Sequence, residues 1–116
     1  MSLRACILAI ALVGCSNRAH RDQVRTQWLD SVTPCPAPAT CTGKATDGTR
    51  EIAVCSPTID PHKLVVGDVI VTHELAGAKE GVGRIELMTH SNFTVQFPDG
   101  WANQRPYTSV VQRACK

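Results

Sequence analysis

The cysteines constrain the fold of this chain more than any other feature of its sequence. Six occur among 116 residues. Four of them lie after residue 34 and contain no CxxC pair, although structural zinc ligands usually come as closely spaced pairs. An even number of cysteines in a small exported domain indicates disulfides, and a zinc site is the alternative. The four residues are Cys35, Cys41, Cys55 and Cys115.

Four cysteines allow three disulfide pairings, and a hairpin signal favours one of them. An Asp-Gly pair at positions 47 and 48 lies between Cys41 and Cys55, and Asp-Gly is a strong short-range hairpin signal. If that hairpin forms, Cys41 lies near Cys55, and Cys35 is left to pair with Cys115. The alternative pairing joins Cys35 to Cys41 and Cys55 to Cys115.

The first residues have the layout of an export signal. A free amine and Arg4 give a positive start, and an apolar run follows from Ala5 to Gly14. A positive region, a short apolar region and a small residue at the exit are typical of signal peptides. The run is about half of the roughly 20 residues that a transmembrane helix needs. We therefore predict a signal peptide over 1–14, with a buried helix of a cytosolic domain as the alternative.

The apolar run ends in a short motif, Leu12-Val13-Gly14-Cys15. This motif resembles the lipobox of bacterial lipoprotein precursors, in which an aliphatic residue, a short residue and Gly or Ala precede a cysteine. The resemblance covers residues 1–15. It implies that the Cys15 thiol carries a diacylglyceryl group, that a peptidase cuts before Cys15, and that the new amine is acylated, as with palmitate.

The same resemblance implies a location. Two or three acyl chains hold a protein on a membrane far more firmly than one chain does. Ser16 follows the cysteine, whereas Asp at this position favours retention at the inner membrane in Gram-negative lipoproteins. We therefore expect a lipid anchor in the outer membrane, with the protein facing the periplasm. A soluble exported domain with an unmodified Cys15 is the alternative.

Neither the charge nor the motifs indicate a nucleic-acid partner, a cofactor or a metal. The formal net charge is +2, from 12 basic and 10 acidic residues, and no basic stripe alternates with aromatic residues. The sequence contains no HExxH, no GxSxG and no phosphate-loop pattern. We expect a protein that is not an enzyme. An envelope enzyme or enzyme inhibitor with a site around His73 and His90 is the alternative.

The segment 15–34 is expected to be a membrane-proximal tether or a short helix. Val24, Trp28 and Val32 recur at a spacing of four residues, which fits an amphipathic helix packed on the domain or lying at the lipid surface. A flexible tether is the alternative, because a helix of this length is marginal alone. A small disulfide-stabilised β domain is expected over 35–116, beginning with a proline-rich linker or loop and the hairpin.

Short strands separated by glycine-bearing turns follow from residue 63 onward, and this spacing indicates a small all-β barrel or sandwich. Their order resembles an SH3-like barrel of the Tudor-like kind over about residues 63–113. The expected fold is therefore mainly β: a small SH3-like barrel preceded by a disulfide-linked hairpin and a short N-terminal helix or tether. The resembling stretches are VGDVIV at 66–71, GVGRI at 81–85, VQFPDG at 95–100 and YTSVV at 107–111.

SH3-like and Tudor-like domains bind ligands with aromatic side chains near the loop after the first strand and the turn after the third. The resemblance implies that Trp101 and Tyr107 line a ligand-binding groove, while Phe93 and Phe97 belong to the core. For Trp101 the alternative is a cap on the end of the barrel. The predicted function is a lipid-anchored, non-enzymatic binding or structural module whose partner is peptidoglycan or an envelope protein.

Overall fold

The computed structural model describes residues 13–73 and 80–116, and its fold is mainly β, as expected. Apart from the backbone of its last two residues, the expected signal peptide lies outside the described residues, as does the Cys15 side chain, so lipidation stays a prediction. Within the described ranges, no helix is long and apolar enough to cross a membrane.

The elements are helix α1 (Val13–Asp30), strands β1 (Thr40–Asp47) and β2 (Arg50–Ser56), a 3₁₀ turn (Pro61–Lys63), and strands β3 (Val69–Thr72), β4 (Gly81–Met88), β5 (Asn92–Gln96), β6 (Ala102–Pro106) and β7 (Val111–Arg113).

Two antiparallel sheets form the domain. Strands β1 and β2 make the predicted hairpin, and Gly48 in its turn has a φ of 63°, a conformation that glycine adopts without strain. The other five strands form one sheet in the order β6-β5-β4-β3-β7. Among the described residues, no backbone pairing joins the two edge strands, so the expected barrel is an open sheet.

Apolar side chains cover the five-stranded sheet on both faces. Successive residues of a strand point to opposite faces, and Val69 and Val71 lie in one core cluster whereas Ile70 lies in another. This explains why all four residues of β3 are buried. The first cluster joins the sheet to the hairpin and to α1. The second contains Phe93 and Phe97, which are core residues as expected, with Leu64, Ile85, Val95 and Val111.

Helix α1 packs on the hairpin and the sheet, which is one of the interpretations that the sequence left open. Trp28 is 8% exposed and belongs to the first core cluster. The Arg84 guanidinium lies 4.9 Å from the centroid of the Trp28 ring, a cation–π geometry. Nearby, Arg25 Nε lies 2.8 Å from Asp47 Oδ2 at the end of β1. The helix is therefore fixed to the domain by apolar and ionic contacts.

The four cysteines form two disulfides, but neither pairing considered from the sequence is correct. The bonds join Cys35 to Cys55 and Cys41 to Cys115. The hairpin is therefore not bridged across itself. The Cys35–Cys55 bond joins β2 to the preceding proline-rich segment. The Cys41–Cys115 bond joins β1 to the C-terminal residues.

A β-bulge in the hairpin explains why Cys41 does not pair with Cys55. The register of β1 against β2 shifts beyond Thr40, and a bulge sets two residues opposite one, so Cys41 does not face Cys55 directly. The end of the chain supplies another partner. The Cys115 N–H donates to the Ala53 carbonyl at 3.1 Å, so Cys115 lies beside β2 and bonds to Cys41.

A charged side chain, Arg105 on β6, is buried in the domain. It is 1% exposed, and burial lowers the pKa of its guanidinium. Its Nη1 donates to the His73 carbonyl oxygen at 3.2 Å. Since His73 follows β3 and two strands separate β6 from β3 in the sheet, this hydrogen bond requires a curled sheet. Arg105 thus joins two parts of the sheet that backbone pairing does not.

We expect Arg105→Ala to lower the free energy of unfolding by about 3 kcal/mol, because it leaves a cavity and removes a donor from a carbonyl oxygen. Urea denaturation followed by circular dichroism measures this change. Gln104→Ala is the matched control, since Gln104 is the exposed neighbour on β6; its effect should stay within about 0.5 kcal/mol. Equal effects for the two variants would contradict a bracing role for Arg105.

Candidate functional site

A groove of about 430 Å³ opens beside the proline-rich segment. Its size falls within the range of about 300–1,000 Å³ that is usual for ligand sites. Its lining comes from residues 34 and 36–39, residues 57–60 and residues 63–65, with Asp68 and Arg113. Four of these residues are prolines: Pro34, Pro36, Pro38 and Pro57. Because a proline ring fixes φ, such a lining loses little conformational freedom when a ligand binds.

Arg113 and Asp68 join the lining segments through a shielded polar network. Arg113 Nη1 donates to the Pro34 carbonyl at 3.1 Å, and its Nη2 donates to the Thr33 hydroxyl. Its Nε lies 3.5 Å from Asp68 Oδ1, with the two side chains 14% and 12% exposed. The other carboxylate oxygen of Asp68 accepts the Val65 N–H at 2.9 Å. The proline-rich segment, β7 and the residues before β3 therefore form one frame.

The Cys35–Cys55 disulfide closes this frame from another side. Cys35 lies between two lining prolines, and Cys55 lies two residues before Pro57. The bond therefore holds two of the three lining segments next to each other. Opening it would release the proline-rich segment from the end of β2.

Besides the paired Asp68 and Arg113, the groove presents one further charge of each sign beside apolar side chains. The Asp60 carboxylate accepts the His62 N–H at 2.9 Å and lies 3.0 Å from His62 Nδ1. The backbone hydrogen bond, followed by the side-chain one, lowers the pKa of Asp60, so this carboxylate is charged at neutral pH. Lys63 supplies the positive charge. Val65 also lines the groove, is 60% exposed and offers an apolar surface.

The aromatic residues expected to form a ligand site lie apart. Trp101 is 67% exposed and precedes β6, whereas Tyr107 follows it. The five residues of β6 lie between them, so their backbones are about 20 Å apart at about 3.4 Å per residue. The Tyr107 hydroxyl donates to the Thr89 carbonyl at 2.6 Å, and its ring stacks on His62 at 4.2 Å. The structure does not bring these two aromatics together, and neither lines the described groove.

The two histidines of the enzyme alternative are also separated. His73 follows β3, and its Nε2 lies 2.6 Å from Gln112 Oε1. His90 lies in the turn after β4. Since β4 begins opposite Thr72 and runs for eight residues, the histidines lie at opposite ends of that strand and do not share a cleft.

Sequence reasoning missed the proline-lined groove. Its lining residues come from segments that are distant in the sequence, and the proline-rich segment was interpreted as a linker or surface loop. A signal was nevertheless present, because Cys35 stands between two prolines and Pro57 follows Cys55 by two residues. Two cysteines among prolines indicate rigid segments that a disulfide can hold side by side.

Comparisons of this chain with protein-family models, with curated proteins and with solved structures give no match. The resemblances to lipoprotein precursors and to SH3-like domains therefore stay predictions. The chemistry of the site has to be inferred from the groove itself.

Proposed function

We propose that this protein is a lipid-anchored lipoprotein of a bacterial cell envelope, in the outer membrane and facing the periplasm, where it acts as a non-enzymatic binding module. The observation that carries the proposal is the groove, whose proline lining and disulfide brace preorganise it for a ligand. The Cys15 motif supports the anchor. The two disulfides fit a compartment that is oxidising.

A short peptide is the ligand class that the groove favours. Its lining offers apolar surface, a carboxylate at Asp60 and an ammonium at Lys63, and no aromatic ring among the described residues that line it. Sugar rings commonly stack on aromatic side chains, so the glycan strands of the cell wall fit less well. A peptide that carries both a carboxylate and an amine is complementary in charge. Stem peptides of peptidoglycan and exposed segments of envelope proteins share this chemistry.

Val65 and Val66 provide a matched pair of positions for the test. Each is 60% exposed, and only Val65 lines the groove. We expect the full-length protein, purified from membranes in mild detergent, to pellet with purified sacculi. Val65→Asp should weaken this binding by about tenfold or more, which corresponds to about 1.4 kcal/mol, because it replaces apolar surface with a carboxylate in addition to those of Asp60 and Asp68. Val66→Asp should bind as the unaltered protein does.

The other outcomes separate the remaining interpretations. Equal weakening by both valine variants would exclude the groove as the binding site. Loss of binding in Trp101→Ala alone would show that the binding site lies at the β5–β6 turn. If the unaltered protein stays in the supernatant, stem peptides are excluded. A photo-crosslinker at position 65, but not at 66, should then capture an envelope protein. A membrane-bound species that retains residues 1–14, or has an unmodified Cys15, would contradict the lipid anchor.

A further inference from the structure

The sulfur atoms of the two disulfides lie together, in a group that we name the sulfur cluster (Cys35, Cys41, Cys55 and Cys115). The Sγ atoms of Cys35, Cys55 and Cys115 all lie within 4.8 Å of one another. Cys41 is bonded to Cys115, so its sulfur belongs to the same group. Two disulfides can stabilise a domain while lying far apart from each other. The closeness of the two disulfides is therefore a separate feature of this fold.

Backbone contacts place these cysteines near one another independently of the sulfur bonds. Cys41 and Cys55 lie on paired strands of the hairpin. Cys115 is held against β2 by its own N–H, which donates to Ala53, and by the bridge between the preceding residue, Ala114, and Val54.

Cys35 is also held without its disulfide. It follows Pro34, whose carbonyl accepts a hydrogen bond from Arg113. This hydrogen bond holds the backbone next to Cys35 against β7.

We propose that the thiol form of this protein binds one Zn²⁺ at the sulfur cluster, with all four sulfurs as ligands. Zn²⁺ takes four thiolates in a tetrahedral site with Zn–S distances of about 2.3 Å, which sets the sulfurs about 3.8 Å apart. The sulfurs of Cys35, Cys55 and Cys115 lie within 4.8 Å of one another, so small side-chain rotations bring these three to this geometry. The Cys41 sulfur separates from that of Cys115 once their bond is reduced and completes the set. The sequence lacks the closely spaced pairs of common zinc sites, but the fold brings the four sulfurs together.

Metal binding at the sulfur cluster requires four thiols, which release protons to the solvent when Zn²⁺ binds. A newly made chain already carries four thiols at these positions, and Zn²⁺ displaces one proton from each. The oxidised protein first requires a reductant. Two phosphine molecules and two water molecules convert the two disulfides into four thiols and give two phosphine oxides. Ions can enter from the side of Cys35 and Cys41, which are half-buried, whereas Cys55 and Cys115 are 1% and 7% exposed.

A cobalt titration tests the proposal on the full chain carrying Cys6→Ser and Cys15→Ser, so that only these four thiols remain. After phosphine reduction under argon, Co²⁺ should give the charge-transfer and visible bands of a tetrahedral thiolate site. These bands should saturate at one ion per chain, and Zn²⁺ should abolish them. The unreduced protein should give none. Cys55→Ser should weaken binding by more than about 100-fold, because changes outside the ligand shell already cost about 10–100-fold.

The decisive control moves one thiol by a single residue, in the double variant Cys55→Ser/Ser56→Cys. Position 56 points to the opposite face of β2, so the fold no longer directs four sulfurs to one point, although the number of thiols is unchanged. We expect this variant to bind as weakly as Cys55→Ser. Equal binding by the shifted variant and the unaltered thiols, or a reduced protein without cobalt–thiolate bands, would overturn the proposal. The comparison holds whether the reduced chain is folded or folds on binding metal.

Discussion

Removal of the Cys41–Cys115 disulfide, in the double variant Cys41→Ala/Cys115→Ala, is expected to lower the free energy of unfolding by about 4–5 kcal/mol. The bond joins residues 74 positions apart, so it removes much conformational freedom from the unfolded chain. It also fixes the C-terminal segment beside the hairpin. Small domains are stable by only about 5–15 kcal/mol in total, so this loss is a large fraction of the stability. Urea denaturation under non-reducing conditions measures it.

The other disulfide provides the comparison. Cys35→Ala/Cys55→Ala removes a bond with a sequence separation of 20, for which loop closure predicts about 3 kcal/mol. We therefore expect the loss of the disulfide that closes the longer loop to lower the free energy of unfolding by the larger amount. The reverse order would contradict the loop-closure explanation and would show that bracing of the proline-rich segment dominates. Mass analysis of the linked peptides in the unreduced protein checks the pairing on which both values depend.

Local sequence patterns were sufficient to predict the strands and the hairpin. Phe93, Val95 and Phe97 alternate with polar residues, and all three lie in the same core cluster. Alternation is informative because successive side chains of a strand point to opposite faces. Asp-Gly at positions 47 and 48 was equally informative, because a tight hairpin turn requires a positive φ and glycine supplies it. These features depend on neighbouring residues only.

The disulfide pairing and the buried Arg105 could not be predicted in this way. The pairing depends on a bulge in β1 and on the approach of Cys115 to β2, neither of which leaves a local signal. Arg105 stands among polar residues of β6 and would be assigned to the surface. It is buried because the sheet curls and brings the His73 carbonyl within reach.

The candidate site was the least predictable part of the molecule. The resemblance to SH3-like domains implies a site at Trp101 and Tyr107, which lie at opposite ends of β6. The groove instead depends on contacts such as Arg113 to Pro34, which joins residues 79 positions apart. Only the fold brings such residues together.

Trp28→Ala is expected to detach helix α1 from the domain and to lower the free energy of unfolding by about 3–5 kcal/mol. Among helix residues 18–30, Trp28 is the buried one and belongs to the first core cluster, whereas Val24, Leu29 and Val32 pack against that cluster but are only partly buried. Loss of the indole also removes the contact with the Arg84 guanidinium. Since short helices are marginal without tertiary packing, α1 should then lose its protection against hydrogen exchange.

Hydrogen exchange followed by mass spectrometry separates a local effect from a global one. Peptides from residues 18–30 should exchange faster in Trp28→Ala, while peptides from β3 to β5 keep their protection under native conditions. Gln27→Ala, at the exposed neighbouring position, should change stability by no more than about 0.5 kcal/mol. Unchanged protection of α1 in the Trp28 variant would contradict the role of Trp28 as its main anchor.

The packing of α1 also bears on how the groove is presented. The helix has 18 residues and includes position 15 in its first turn, so its length is about 27 Å. A docked helix fixes the expected lipid anchor at a defined position relative to the groove, whereas a detached one would act as a flexible tether. Binding to sacculi in solution should therefore survive Trp28→Ala, because α1 does not line the groove. Crosslinking from position 65 in intact cells should decrease, because the variant no longer holds the groove at a fixed distance from the membrane.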